Sequence, residues 1–599
     1  MSCNWLLWRQ AADEGWHIVF YESYLDPIDR DLLSHSHYIR AADWMYVDGR
    51  DITLFEGVSL GRKLILHISR IILEWNRLSN SLENLVVRFQ PEKLLFFDFQ
   101  AELPGMDAQG RWSVVLDVAQ RHNLTAIDQR ELAKSDNDSL PNKQFLILNA
   151  RPKPTMKMRV KASVSKGLGL VLSSVSTVLG VFHRRRRKVL LMCMHKTTLP
   201  LLSRLDKKYP RAMMPARLFP NKRHIGFLFR SLLKGVYLLE LALPKLDADD
   251  RNALDVVRAD VSEALARADI LLGGAIAKHV RDIFNTDWPE QTAQTIKWAN
   301  TLLDRCRPDA ILVDGLLNSD YNIVIESARR RNIKVAGTWH SIIMTDTAFP
   351  IFGTDSRLPP LVDRAFSWGA MNEAWLKNTK VHCDFARTGS LISSRSKSVI
   401  NAPFKTGKNV LILQLAVPGG DITGRAASEY AAFADIAVAL LREGYQNVRL
   451  KLHPGFPRDD YYKRIVEHYG FKCAVVREGS IEEQVGWADI VIGPACSGGM
   501  LETVATGTPY YPFVALPTDI NPEYLDGIPF FSDVDTLVTA VRHGRYPDQQ
   551  YLMDWFLDQG NLNAPEDRVW EELNNLCTLN AGDSTSIEGS LSQSQQRNR

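Results

Sequence analysis

No run of about eighteen apolar residues, the length a bilayer crossing needs, occurs anywhere in the 599-residue chain, so a conventional transmembrane helix is not expected. The opening stretch MSCNWLLWRQ lacks the basic-then-apolar layout of a secretory signal. Cysteine is sparse and scattered. Cys3, Cys193, Cys306, Cys383, Cys473, Cys496 and Cys577 include no CxxC pair, which argues against a disulfide framework or structural zinc site and fits a reducing cytoplasm. Net charge is low too, at +3. With 45% hydrophobic and 24% charged residues the chain reads as globular, and its length exceeds one core, so two or three domains are expected.

The charge is unevenly spread. Between Arg151 and Lys234 stand twenty-one Lys or Arg against one acid, Asp206, which leaves the rest of the chain acidic. Such a block seeks an anionic partner. It holds no recognisable nucleic-acid module, so nucleic acid is the least expected partner. Within it, KGLGLVLSSVSTVLGVFHRRRRK (166–188) has an apolar part too short to span a bilayer comfortably, flanked by cations. Two roles are open: a segment lying in an anionic membrane interface, which the further cluster from Lys207 to Arg230 favours, or a buried helix with a solvated basic turn. The expected place is cytoplasmic, peripheral on the inner face of the membrane.

Apolar runs and turn residues divide the chain as follows. Residues 1–150 form an N-terminal α/β domain with strands HIVFYES (17–23), LLFFDF (94–99) and QFLILNA (144–150) and a helix over 113–123. Residues 151–187 are the basic, apolar segment. Residues 188–395 begin with the strand KVLLMCMH, continue through long amphipathic helices at about 250–305, and then carry strands near 308–315, 333–341 and 366–369 around a helix at 322–332. A Ser-, Lys- and Gly-rich linker at 388–409 leads to a last domain, 405–560, with strands NVLILQL, VRLKLHP, CAVVRE and ADIVIGP. Residues 580–599 are a polar tail expected to be disordered. Strand–helix alternation of this kind predicts doubly wound parallel sheets. One echo stands out: RFQPEKLLFFD…AQRHN matches RCRPDAILVD…ARRRN in layout, as a duplicated half-domain would, or as any parallel α/β unit does.

In such sheets ligands bind beyond the C-terminal ends of the strands, so the residues there are the candidates. His453 and Pro454 end VRLKL; the imidazole can donate to a phosphate oxygen, and Pro stops the strand. In GPACSGGMLETVATGTP, Ser497, Gly498 and Gly499 open a helix, offering a hydroxyl and unpaired N–H groups to phosphate, while Glu502 one turn on can accept from ribose hydroxyls. Gly419, Gly420 and Arg425 lie in the loop after the domain's first strand and can close over the donor's phosphates, or simply form a surface loop. Glu478 and Gly479 follow another strand, where a nucleobase can rest. In the middle domain Asp314, before Gly315, can deprotonate an acceptor hydroxyl as general base, or cap the next turn; His340 ends the neighbouring strand. Asp98 and Glu102 hold the analogous place in the N-terminal region.

The order Asp314-Gly315, His453-Pro454, Ser497 resembles the three motifs of bacterial sialyltransferases and related surface-polysaccharide transferases. The SGG…E loop also resembles that of non-hydrolysing UDP-N-acetylglucosamine 2-epimerases, and the segment from FSWGAMNEAWL through ARTGSL is similar to the lead into the linker of many GT-B proteins. This resemblance, over about 188–560, implies an α/β GT-B fold: two Rossmann-like doubly wound domains, here with an additional N-terminal α/β region. It implies an acidic base at Asp314 and a nucleotide held by His453 and Ser497. The chain departs from the sialyltransferase pattern at Val313, where a second acid is usual, and at Cys496-Ser497, where paired hydroxyls are usual. GT-B enzymes are generally metal-independent, and the DxD spacings at 136–138, 247–249 and 533–535 end no apolar strand, so no metal and no cofactor is expected.

The leading expectation is a glycosyltransferase that moves a sugar, of nonulosonic or Kdo type if the donor is CMP-linked, from a nucleotide-sugar donor to a lipopolysaccharide, capsule or other glycan or lipid-linked acceptor. The alternatives are a UDP-sugar epimerase, which needs no acceptor, and a non-catalytic membrane-associated protein that kept a nucleotide-binding fold.

Overall fold

A computed structural model of the chain describes residues 13–17, 39–96, 108–129, 189–192, 199–210, 212–216, 243–272, 274–314, 319–338, 361–378, 384–390, 409–415, 427–453, 459–495, 497–516, 525–557 and 564–578. The expected strands at 17–23 and 144–150, the apolar segment at 166–188 and the tail at 580–599 fall wholly or almost wholly outside them.

Two tight hairpins come first: β1 (Tyr46–Val47) with β2 (Arg50–Asp51), and β3 (Leu54–Phe55) with β4 (Val58–Ser59). Their two-residue turns, Asp48-Gly49 and Glu56-Gly57, have positive φ at both positions, the type I′ geometry that matches strand twist. Gly57 also leaves room for the Arg330 guanidinium, which would have to shift to admit a Cβ there. The long helix α1 (Arg62–Phe89) follows, then β5 (Lys93–Phe96), α2 (Ala108–Arg121) and β6 (Thr125–Asp128), with β5 and β6 parallel.

The rest of the chain builds two wholly parallel sheets. The first has β7 (Val189–Met192), β8 (Met213–Ala216), β9 (Ala310–Val313), β10 (Lys334–Thr338), β11 (Arg364–Ser367) and β12 (Asp384–Arg387) in the order β12-β11-β10-β9-β7-β8. The second has β13 (Asn409–Leu413), β14 (Asn447–Lys451), β15 (Cys473–Val476), β16 (Ile490–Pro494) and β17 (Tyr510–Phe513) in the order β15-β14-β13-β16-β17. The central strands are apolar and buried almost throughout, as parallel strands covered on both faces must be. Each sheet reverses direction once: between β7 and β9 in the first, between β13 and β16 in the second. The GT-B expectation is therefore met, with two Rossmann-like doubly wound sheets in one chain.

Helices flank both sheets. Those described are α3 (Leu199–Lys208), α4 (Ala248–Leu272), α5 (Gly274–Phe284), α6 (Trp288–Cys306), α7 (Ser319–Arg329) and α8 (Ala370–Asn378) along the first sheet's part of the chain. Along the second are α9 (Ala427–Arg442), α10 (Asp459–Tyr469), α11 (Ile481–Trp487), α12 (Gly498–Val504), α13 (Val534–Arg542) and α14 (Gln549–Phe556). The sequence echo extends to backbone geometry. α1 and α6 each end in a left-handed residue, Gln90 or Arg307, whose N–H bonds back one turn at 2.8 Å before a proline and a strand. α2 and α7 each reach the next parallel strand through a left-handed Asn, Asn123 or Asn332. This punctuation closes any parallel βαβ unit in the same way.

The N-terminal segment shares a core with the first sheet's domain: Trp44, Phe55, Leu64 and Ile68 pack in one cluster with Leu254, Val280, Trp298 and Val324. A final helix, α15 (residues 565–578), which no sequence signal marked, returns to the other face of that sheet, where Val569, Leu573 and Leu576 meet Leu191, Leu202, Leu312 and Phe366. Tyr209 stacks on Trp570 and donates to Asp567 at 2.5 Å, and Arg364 donates to Glu572 at 2.6 Å. Burial, with Asp567 adjacent, pushes the Tyr209 hydroxyl up to about 12. Leu573 is wholly buried, so Leu573→Ala is expected to cost about 3 kcal/mol in urea unfolding, as large-to-small changes in a close-packed core do.

Candidate functional site

The second sheet's C-terminal rim gathers polar groups from four adjacent strands. β13 ends in Leu413, and Gln414 continues its ladder: its N–H donates to the Lys451 carbonyl at 3.0 Å. The Gln414 side chain, 6% exposed, then accepts from the His453 N–H at 2.9 Å through Oε1. Its Nε2 is buried and has no partner among the described residues. Gln414 thus ties the ends of β13 and β14 together beside the point where the sheet reverses, the place where doubly wound sheets bind ligands.

β14 delivers two basic side chains in succession. Lys451 is only 5% exposed, and its Nζ donates to the carbonyls of Arg477 at 2.6 Å and Glu478 at 3.4 Å. Burial pulls its pKa below the usual lysine range. His453, two residues on, is open to solvent at the rim. Packing around the ring, and then the Lys451 charge, hold its pKa below the ordinary imidazole value. Near neutral pH it is therefore an uncharged imidazole, able to donate one hydrogen bond and to become cationic beside an anion.

β15 leads into a ledge, Arg477–Ser480, in which Gly479 has φ +83°. Ser480 caps α11 by accepting from the Glu483 N–H, while the Glu483 carboxylate accepts from the Ser480 N–H, a capping box that fixes the ledge's far end. β16 leads to Ser497, whose Oγ accepts from the Met500 N–H at 3.1 Å and caps α12. The hydroxyl expected to face phosphate thus has a structural duty as an acceptor and keeps its proton to donate. The two glycines differ. A Cβ on Gly498 would meet nothing within 4 Å, whereas one on Gly499 would press Leu413 at 2.8 Å. Gly499 lets the turn sit against β13; Gly498 borders open space. Glu502 lies half-buried one turn into α12.

Asp314 is not on this rim. It follows β9 in the first sheet, 1% exposed, and its N–H donates to the Met192 carbonyl at the end of β7 at 3.3 Å. That is the reversal point of the first sheet, so Asp314 and the His453–Ser497 set occupy equivalent places on separate sheets. Glu478 and Gly479 stand exposed on the ledge. His340, Gly419, Gly420, Arg425 and Pro454 lie outside the described residues, as do Asp98 and Glu102. Two of the acidic DxD triplets begin with helix caps: Asp247 Oδ1 accepts from the Asp250 N–H at the start of α4, and Asp533 Oδ1 accepts from the Thr536 N–H at the start of α13. Two rim residues were not singled out from sequence, Gln414 and Lys451. The available signal was polarity out of place: a Lys within the apolar strand VRLKL and a Gln at the end of NVLIL.

No family model matches the chain, and no curated protein matches it. Solved structures of similar outline include a UDP-GlcNAc 2-epimerase from Neisseria meningitidis bound to UDP-GlcNAc (12% identity, TM-score 0.39, 65% of this chain and 100% of that one). MurG from Acinetobacter baumannii is another (10%, 0.33, 65% and 100%). A third is the lipopolysaccharide outer core galactosyltransferase WaaB (8%, 0.36, 66% and 100%). At these values the fold rests on the strand order and registers of the chain itself.

Proposed function

We propose that the chain is a glycosyltransferase that takes a sugar from a nucleotide-sugar donor. The observation that carries this reading is the second sheet's rim, where Gln414, His453 and the Ser497–Gly498 turn converge at the reversal point of a doubly wound sheet. In this reading the donor's phosphates lie against His453 and the turn, with the loop of Gly419, Gly420 and Arg425 and the residue Pro454 completing the enclosure. The base rests on the Glu478–Gly479 ledge, and Glu502 meets the ribose. Preorganised donors there offset the charge that develops on the leaving phosphate. Asp314 serves the acceptor as general base, and His340 is the second catalytic residue of this reading. The basic block at 151–234 docks the enzyme on an anionic membrane surface where a lipid-linked acceptor waits.

A UDP-sugar epimerase remains the second reading, because Asp314 is 1% exposed and a reaction confined to the donor needs no channel for an acceptor hydroxyl. The test is a binding titration with CMP, UMP, UDP and GDP, followed by donor turnover with and without a glycan acceptor. Binding with acceptor-dependent turnover supports transfer. Turnover without acceptor supports the epimerase, and no binding removes both.

The lowered His453 pKa adds a pH signature. The folded imidazole resists its proton, so as pH falls below about 6.5 the unfolded chain takes up a proton that the folded chain does not, and stability drops. A bound phosphate reverses that preference. Nucleotide diphosphate binding is therefore expected to tighten from pH 8 to pH 6, by at most about tenfold per pH unit for one linked proton. His453→Ala, titrated by calorimetry over the same range, should lose that component; an unchanged pH profile would place the phosphates elsewhere.

A further inference from the structure

We propose that Lys451 sets the base preference of the donor site, by holding the Arg477 and Glu478 carbonyls inward so that the N–H groups of Glu478 and Gly479 face outward; this rests on the nucleotide-binding reading above. Lys451 Nζ bonds the Arg477 and Glu478 carbonyls at 2.6 and 3.4 Å. In a trans peptide the N–H points opposite to the C=O of the same unit. The N–H groups of Glu478 and Gly479 are therefore turned away from Lys451. Both residues are exposed, and the β14–β15 ladder has already ended at the bond from the Leu452 N–H to the Val476 carbonyl. The next N–H, of Ser480, is taken by Glu483. The outward edge of the ledge is thus two adjacent amide donors whose companion carbonyls are occupied.

A structural role alone is a poor account of Lys451. Among the described residues it forms no ion pair with a carboxylate, and burying an ammonium without one is costly, as its lowered pKa reflects. An apolar side chain of similar length would fill the same space without that cost. What the ammonium supplies, and Met would not, is orientation of two successive peptides. Gly479 makes that orientation attainable: its φ is +83°, and a Cβ there would meet the Glu483 carboxylate at 2.9 Å.

The chemistry of the ligand follows. A base that turns a keto oxygen to the ledge, uracil through O4 or guanine through O6, accepts from these amides. Cytosine and adenine present an amino group at the same position, which sets N–H against N–H. The ledge therefore favours uracil or guanine nucleotides and runs against the cytidine-linked donor implied by the motif resemblance. On a solvent-open edge the discrimination should be about tenfold, the equivalent of one net hydrogen bond.

The experiment is a calorimetric titration of the full-length protein with UDP, GDP, CDP and ADP, on wild type, Lys451→Met and Lys451→Arg, each checked for folding by circular dichroism. Wild type is expected to bind UDP and GDP about tenfold more tightly than CDP and ADP. Lys451→Met should still bind diphosphates but lose the preference, because the freed carbonyls can then accept from an amino group; Lys451→Arg, which keeps donors under the ledge, should restore at least part of it. Equal binding of all four by wild type, tighter binding of CDP, or a preference that survives Lys451→Met overturns the assignment to Lys451 and leaves the donor site standing. Failure of all four to bind overturns the donor site and this inference with it. If Lys451→Met does not fold, Lys451→Arg carries the test of Lys451, and equal wild-type binding or tighter CDP binding overturns the proposal without any variant.

Discussion

Asp314→Asn is expected to give a folded protein that binds nucleotide as tightly as wild type and turns donor over about a hundred- to ten-thousandfold more slowly, the usual loss when a general base is removed. The substitution keeps the shape of the side chain and leaves the backbone bond from Asp314 N–H to the Met192 carbonyl intact. It replaces one carboxylate oxygen with an amide nitrogen and so removes the ability to take a proton. Nucleotide binding should be untouched because the groups proposed to face phosphate, His453 and the Ser497–Gly498 turn, belong to the other sheet. Turnover is measured as release of nucleotide from donor, with binding followed in parallel. If turnover persists near the wild-type rate, Asp314 is a buried turn residue and the base lies elsewhere on the first sheet's rim. If binding falls together with turnover, Asp314 supports the architecture rather than the chemistry.

Much of the fold was legible because the central strands carry unbroken Val, Ile and Leu runs. NVLIL, IVIGP and AILV are found as β13, β16 and β9, each covered on both faces. The strands that escaped notice are all edges or near edges. β8 and β17 contain Pro215 and Pro512, which argue against a strand in sequence but are tolerated at the ends of a sheet, where no ladder N–H is required of them. β12 reads DFAR, largely exposed and paired on one side only. Its position is fixed by pairing with β11, not by its own pattern.

The site divides along the same line. His453 was legible because a proline follows it at a strand end, and the Ser497 turn because small residues separate a strand from a helix. Gln414 and Lys451 acquire their roles only from register. The pairing that sets Lys451 opposite Val476 brings its Nζ beneath the ledge, and the pairing of Leu413 with Lys451 brings Gln414 to the His453 amide. Neither contact is local in sequence, since 26 and 39 residues separate the partners. The seam between the N-terminal segment and α7 is more distant still, joining residues 264 apart.

That seam carries the second large expected effect. Glu326, on the helix entered from the Asp314 loop, is buried, accepting from Arg62 Nη1 at 2.8 Å and from the Ser59 N–H at 3.2 Å. In the first turn of α7, Lys63 pairs with Asp320 at 2.8 Å, and beyond its end Arg330 donates to the Glu56 carbonyl. Hairpin and helix α1 thus grip α7 along its length. Burial holds the Glu326 carboxyl above the usual range, although Arg62 and the Ser59 N–H pull it down. Arg62→Met removes the strongest of those pulls and strands a buried carboxylate, which should cost about 3–5 kcal/mol at pH 8. The sign with pH follows from the raised pKa. The penalty is complete above the folded pKa and disappears below the unfolded value near 4.3, so the variant should lose least at pH 5 and most at pH 8. Glu326→Met, which leaves the Arg62 charge behind, should cost a similar amount with no such recovery in acid. The double variant, with neither charge, should be far less destabilised than the two singles summed, because an apolar pair of similar volume avoids both desolvation penalties. Urea unfolding of the four proteins at pH 5 and pH 8 measures all of this. Additive losses without pH dependence would make the grip a matter of packing alone. Coupled, pH-dependent losses would make the N-terminal segment an electrostatic brace for the helix that leaves Asp314, and give residues 39–89 a part in holding the first sheet's rim in place.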